Sequence, residues 1–282
     1  MPLRDRYGIR AAAGSRPSTG RSSAPLYALA ATLVALTALL GGLYWKSESL
    51  KVEIDKVTLC PIKKAPAGVL VVLLDVSDHL SEPQLIKIEN EVERLRDSLP
   101  RWGRIEIYVV SRGGERLTVP VIQRCNPGTG DDMNEIYQNP DLAQKRWQAF
   151  AQELRDQIKA LMQLPDTGTS PIFESIQAVS LRTFDRPDMD GVPKRLVVVS
   201  DLMQNVPGSL SHYGGVPDFD EFAASPYFSK VRGDLDGVDV TLLYLNRSEL
   251  PLQGAEHISF WVQYFAAQGA TVHEVEKLFG DQ

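Results

Sequence analysis

The chain has 282 residues, of which 43% are hydrophobic, 23% charged and 8% aromatic. These values suit a folded globular protein and exclude collagen-like, low-complexity and wholly disordered classes. A formal charge of −6 argues against a general nucleic-acid binder, and two cysteines with four histidines leave little for a zinc site.

Residues 1–25 carry Arg4, Arg6, Arg10, Arg16 and Arg21 against one acid, Asp5, with no apolar periodicity; this is a basic, disordered arm. Residues 26–45 (LYALAATLVALTALLGGLYW) carry no charge. At 1.5 Å per residue they span roughly 30 Å, the hydrocarbon thickness of a bilayer. Tyr27 at one end and Tyr44 and Trp45 at the other suit the two interfaces. The arginines before the span put the amino terminus in the cytoplasm, so the chain reads as a single-pass inner (plasma) membrane protein of a Gram-negative-type cell, periplasmic beyond residue 46. A cleaved signal peptide is the alternative; the long basic leader, the length of the apolar run and the lack of an A-x-A site stand against it. The exported part retains 25 basic and 35 acidic residues, a poor surface for gripping nucleic-acid phosphates.

Residues 46–66 read as an extended stalk, with Pro61 and Pro66 holding it open. Cys60 (VTLCP) and Cys125 (QRCNPG) lie beside turn residues. In an oxidising compartment the pair reads as a disulfide between two surface loops; two buried free thiols are the alternative.

The domain over 67–282 opens with Val69–Asp75 (VLVVLLD), an unbroken apolar run of the kind a parallel strand covered on both faces shows. Pro83–Leu99 has helical spacing, with Leu85, Ile88, Val92 and Leu95 on one face. Ile105–Val110 reads as a second strand and Leu117–Ile122 as an edge strand containing Pro120. A loop over Asn126–Pro140 precedes a helix capped by Asp141 and carrying Trp147, Phe150, Leu154, Ile158 and Leu161. A helix over Ile172–Phe184, strands over Arg195–Ser200 and Val238–Leu245, a helix over His257–Gln268 and a short edge strand over Thr271–Val275 complete the order. Strands alternating with helices predict an α/β fold with a doubly wound, mostly parallel sheet. Ligands of such sheets bind beyond the carboxyl ends of the strands, where strand order reverses.

Three loops carry the polar chemistry: Asp75–Ser81 (DVSDHLS), Thr167–Ile176 (TGTSPIFESI) and Val197–Asp201 (VVVSD). Carboxylates and hydroxyls are hard oxygen donors suited to Mg²⁺, Mn²⁺ or Ca²⁺. In these loops and in element order over 67 to about 280 the chain resembles the von Willebrand factor A (vWA) family, whose metal-ion-dependent adhesion site combines D-x-S-x-S, a Thr and a later Asp. Carried over by position, the resemblance implies metal ligation by Asp75, Ser77, Ser170 and Asp201, with Mg²⁺ or Mn²⁺ as the ion. A protein partner would supply an acidic side chain as the last ligand. The chain departs from the pattern at His79, which replaces the second motif Ser, and at Ser170, which replaces the Thr. Imidazole is a poor ligand for a magnesium shell, so His79 is a doubtful one and a vestigial site on a scaffold subunit of an envelope, secretion or conjugation complex is the second expectation.

Taken singly, Asp75 and Asp201 read as strand-end acids beside helix N-termini, and Ser170 before Pro171 as an N-cap. The sequence lacks a nucleophile elbow and a P-loop, and position 77 is Ser where a haloacid dehalogenase-type phosphatase needs Asp. A hydrolase would have to combine Ser200 with His212 or His257 and Asp75; no enzyme and no small-molecule substrate is expected. The last helix crowds Phe260, Trp261, Tyr264 and Phe265, which read as core packing, with Trp261 and Tyr264 as the alternative docking patch.

Overall fold

The computed structural model describes residues 24–49, 52–77, 79–110, 119–133, 139–163, 168–247 and 250–280. The basic arm up to residue 23, Leu117 and Thr118 of the expected edge strand, Asp78 and Thr167 lie outside the described residues. The chain divides into two units, Met1–Lys51 and Val52–Gln282.

Among its described residues the first unit contains one helix, α1 (Ala24–Ser49), longer than the apolar run because it continues through Lys46–Ser49. It is apolar all round and long enough to cross a membrane, and no part of its most apolar stretch is buried against other residues.

In the second unit, the uninterrupted apolar runs become the middle of a six-stranded sheet. Its strands are β1 (Val69–Leu74), β2 (Arg104–Val109), β3 (Ile122–Cys125), β4 (Lys194–Ser200), β5 (Val238–Asn246) and β6 (Thr271–Phe279). Their order is β3-β2-β1-β4-β5-β6, parallel except for β3. The fold is therefore the expected doubly wound, mostly parallel α/β sheet.

Every side chain of β1 is buried because both faces are covered. Val69, Val71 and Leu73 point to one face, where they meet α4 (Ile172–Val179) and α7 (Ala255–Ala266). Leu70, Val72 and Leu74 point to the other, covered by α2 (Glu82–Asp97) and α3 (Pro140–Met162). The strand period of two thus feeds two separate cores from one segment. On α2 the spacing Ile88, Val92, Leu95 is buried as its periodicity requires. Ser81 closes a capping box with Gln84 at its start.

Several boundaries differ from the sequence reading. The stalk is not extended throughout: Asp55 turns the chain by accepting the Val57 and Thr58 amides, and Ile54 pairs antiparallel with Pro61. Strand β3 begins where the expected strand ended, since Pro120 has no N–H to give a ladder. Cys125 ends β3 and is buried, where a surface loop had been expected. Cys60 and Cys125 form the expected disulfide (S–S 2.03 Å), and the Cys125 amide donates to the Thr58 carbonyl. The cap of α3 is Asn139, one residue before Pro140, where Asp141 had been expected. Helix α4 ends early in a π turn over Ser180–Phe184, and β6 runs nine residues instead of five. Its exposed Thr271, His273, Glu274 and Lys277 suit an edge that discourages further pairing and masks a strand from periodicity. Two short helices, α5 (Phe219–Ala223) and α6 (Pro226–Val231), occupy a stretch where no element was expected.

Candidate functional site

The strand order reverses between β1 and β4, which are neighbours. Asp75 follows β1 directly and Ser200–Asp201 ends β4, so both acids stand at the carboxyl-end rim of the sheet at its switch point. The Asp75 amide donates to the Val199 carbonyl at 2.8 Å, which extends the ladder and fixes where the side chain starts.

Asp75 is buried, and its carboxylate is filled with donors. Oδ1 accepts the Ser77 amide at 3.0 Å; Oδ2 accepts the Ser170 hydroxyl at 2.7 Å and the Ser200 hydroxyl at 2.6 Å. Asp75, Ser170 and Ser200 therefore come from three separate segments and meet at one oxygen. Such bonds satisfy the acceptor oxygens of the buried carboxylate.

Ser170 reaches Asp75 because its backbone is pinned to Asn205 by a two-way pair of 3.0 Å bonds. It does not cap α4. The helix's first donors, the amides of Ile172 and Phe173, go instead to Gln204 Oε1 at 2.7 and 3.1 Å. Gln204 is fully buried, and its amide nitrogen donates to Glu174 and Tyr227. Gln204 is thus a supporting residue that sequence reasoning missed; a lone Gln in an aperiodic loop gives no signal.

Asp201 is held differently. Oδ1 accepts the Met203 amide at 2.9 Å, and Oδ2 accepts Nε–H of Arg247 at 2.9 Å. The side chains are 2% and 20% exposed, so this is a largely desolvated ion pair rather than a surface one. Arg247 follows β5, and Gln253 locks the arrangement: its Oε1 accepts the Arg247 amide at 2.7 Å, and its amide nitrogen donates to the carbonyls of Asp201 and Leu245. Neither strand-end acid caps a helix. Ser77 is buried beside Asp75, whereas His79 is exposed and Ser81 caps α2.

Below the rim lies a buried network. Leu202 adopts a left-handed conformation (φ 58°), uncommon for a residue with a branched side chain. Its carbonyl accepts Trp261 Nε1–H at 3.1 Å and lies 3.2 Å from His257 Nε2. His257 also meets Tyr244 at 2.7 Å and His212 at 3.2 Å. Burial, then the neighbouring His257, pushes His212 down to about 3, and burial pushes His257 down to about 4. Both are neutral at pH 7. Ser200 gives its hydroxyl to Asp75 and accepts the Leu202 amide, while the imidazoles bond elsewhere. The Ser200–His–Asp75 relay that hydrolysis would need is therefore not assembled in that order.

Trp261 and Tyr264 are completely buried, among Phe173, Phe260 and Phe265. They are core, and the docking-patch alternative for them is withdrawn.

Among the described residues no group of three or more His, Cys, Asp or Glu side chains could hold a metal. The four expected ligands do stand at one rim, yet they do not fit a resident divalent ion as arranged. Asp201 is committed to a guanidinium, so a divalent ion would have to enter beside a positive charge already held by one of its expected acids.

Neither a family model nor a curated protein matches the chain. Solved structures do. One is the conserved hypothetical protein BatB from Bacteroides thetaiotaomicron, with 14% identity and a TM-score of 0.37 over 74% of this chain and 91% of that one. Another is an aerotolerance-related membrane protein from Bacteroides fragilis NCTC 9343, with 11% identity and a TM-score of 0.36 over 74% and 90%.

Proposed function

We propose that the protein is a membrane-anchored vWA-like scaffold module that docks a protein partner on the rim beyond β1 and β4. Helix α1 is the single span, the amino-terminal arm is cytoplasmic, and the Val52–Gln282 unit is exported. The length and all-round apolarity of α1 support the span. The Arg-rich leader supports the orientation, and the Cys60–Cys125 bond supports an oxidising compartment.

The observation that carries the docking reading is the meeting of Ser170 and Ser200 on Asp75 at the switch point, with Asp201 next in the chain. Three segments far apart in sequence converge on a preorganised polar rim, with His79 exposed next to it. Buried polar networks of this kind fix local geometry, and fixed geometry is what a recognition surface requires. The partner is a protein; the acidic exported surface disfavours nucleic acid.

Site-directed photocrosslinking in the intact membrane tests this reading. A photoreactive residue at His79, on the rim, should give one discrete protein adduct. The same residue at Asp190, an exposed position before β4 at the opposite end of the sheet, should give none. Adducts of equal yield at both positions, or none at either, would refute rim docking.

A further inference from the structure

We infer that Arg247 takes the place of the divalent cation at this rim, so that the site is built to work without metal. The inference rests on the vWA-like reading of the rim, but its test is independent of any partner.

An isolated exposed ion pair would not carry it. Here, the guanidinium bonds Asp201 Oδ2 at 2.9 Å with the carboxylate 2% exposed, and the backbone on both sides is clamped by one side chain. Gln253 accepts the Arg247 amide and donates to the carbonyls of Asp201 and Leu245, which fixes the end of β5 relative to the end of β4. The cation is therefore delivered by the fold and cannot diffuse away.

The charge balance follows. Among the described rim residues, Asp201 bonds the built-in positive charge of Arg247, whereas Asp75 accepts from two hydroxyls and one amide. A divalent ion would have to enter beside a like charge and compete with Arg247 for Asp201. Guanidinium is suited to the role: it stays protonated at any working pH and is less strongly hydrated than an ammonium, so a carboxylate holds it at low desolvation cost. Removing it should leave Asp201 as an uncompensated buried carboxylate, and a divalent cation is the simplest replacement.

The experiment is thermal unfolding of the full chain in detergent, with EDTA or with Mn²⁺ or Mg²⁺. The wild type should show the same Tm in all three. Arg247→Ala should melt lower in EDTA and recover by roughly 5–10 °C at an ion concentration a hundredfold above its Kd. Adding Asp75→Asn should abolish that recovery. If Arg247→Ala does not fold, Arg247→Gln, which keeps the stem and one donor group, is measured the same way. A metal-dependent Tm in the wild type overturns the inference. So does a folded Arg247 variant that ignores both ions. Neither result depends on the crosslinking outcome, so failure here and failure of rim docking are read separately.

Discussion

On the face covered by α2 and α3, the core is aliphatic apart from Phe150: Ile88, Val92, Leu95, Leu154 and Ile158 meet Leu70, Val72 and Leu74 of β1. On the face covered by α4 and α7, Phe173, Phe222, Phe260, Trp261, Tyr264 and Phe265 form one connected set of ring contacts, with His212 and His257 buried among them. Both faces bury apolar area; the buried polar groups of α2, Gln84 and Arg96, donate to the Leu278 and Ala151 carbonyls, whereas the second face buries two imidazoles, an indole and tyrosine hydroxyls within its ring cluster. The aliphatic residues of the first face depend on volume. The aromatic face depends on volume, on donor–acceptor matching and on protonation state, and it is the one whose bonds reach the Leu202 carbonyl under the rim.

The largest effect separating the faces should come from Trp261→Ala. It empties a fully buried site and removes the N–H donor from the Leu202 carbonyl, so a loss of about 5 kcal/mol is expected. Urea unfolding of the full chain in detergent, followed by near-UV circular dichroism, measures it. A loss under about 2 kcal/mol would mean the aromatic face is plastic.

Acid comes next. Both buried imidazoles have folded-state values below the ordinary one near 6.5, so the unfolded chain takes up protons first as pH falls. Their contribution is intact above about pH 6.5 and is lost progressively between there and about 4 to 3. From pH 7 to 5 the expected loss is roughly 3–4 kcal/mol for the pair together. His212→Phe combined with His257→Phe should flatten that segment of the stability profile, whatever it does to stability at neutral pH; an unchanged slope would show that other groups set it.

The smallest effect belongs to the aliphatic face. Ile88→Val removes one methylene and should cost about 1 kcal/mol. The cost should be the same at pH 7 and pH 5, since Ile88 packs within an apolar cluster. A cost that grows with acidity would erase the distinction between the faces.

Much of this was legible in the sequence where burial is continuous or periodic. The VLVVLL and LVVVS runs announced central strands, the Ile88–Val92–Leu95 spacing announced α2, and only two cysteines were available to pair. The vWA resemblance implied that Asp75 and Ser170 would stand together as ligands of one ion; the structure brings them together through a direct hydrogen bond. What stayed hidden lacks periodicity. Gln204, His212 and Arg247 sit in aperiodic segments, and α5 and α6 are too short for a helical pattern to emerge. Arg247 in particular reads as an ordinary loop charge until β5 is seen beside β4. The aromatic crowding of α7 was visible, but its depth was not, because the rings that cover it come from that same unpatterned stretch.

The Cys60–Cys125 bond closes a ring around β1, α2 and β2. A protease nick anywhere inside that ring, on its own, sheds nothing, because both new ends remain on the thread that leads back to α1. Shedding the globule intact takes a cut ahead of Cys60. The few residues between α1 and that half-cystine are therefore the chain's true tether, and their cleavage rather than cuts in longer loops decides whether the domain stays where it was put.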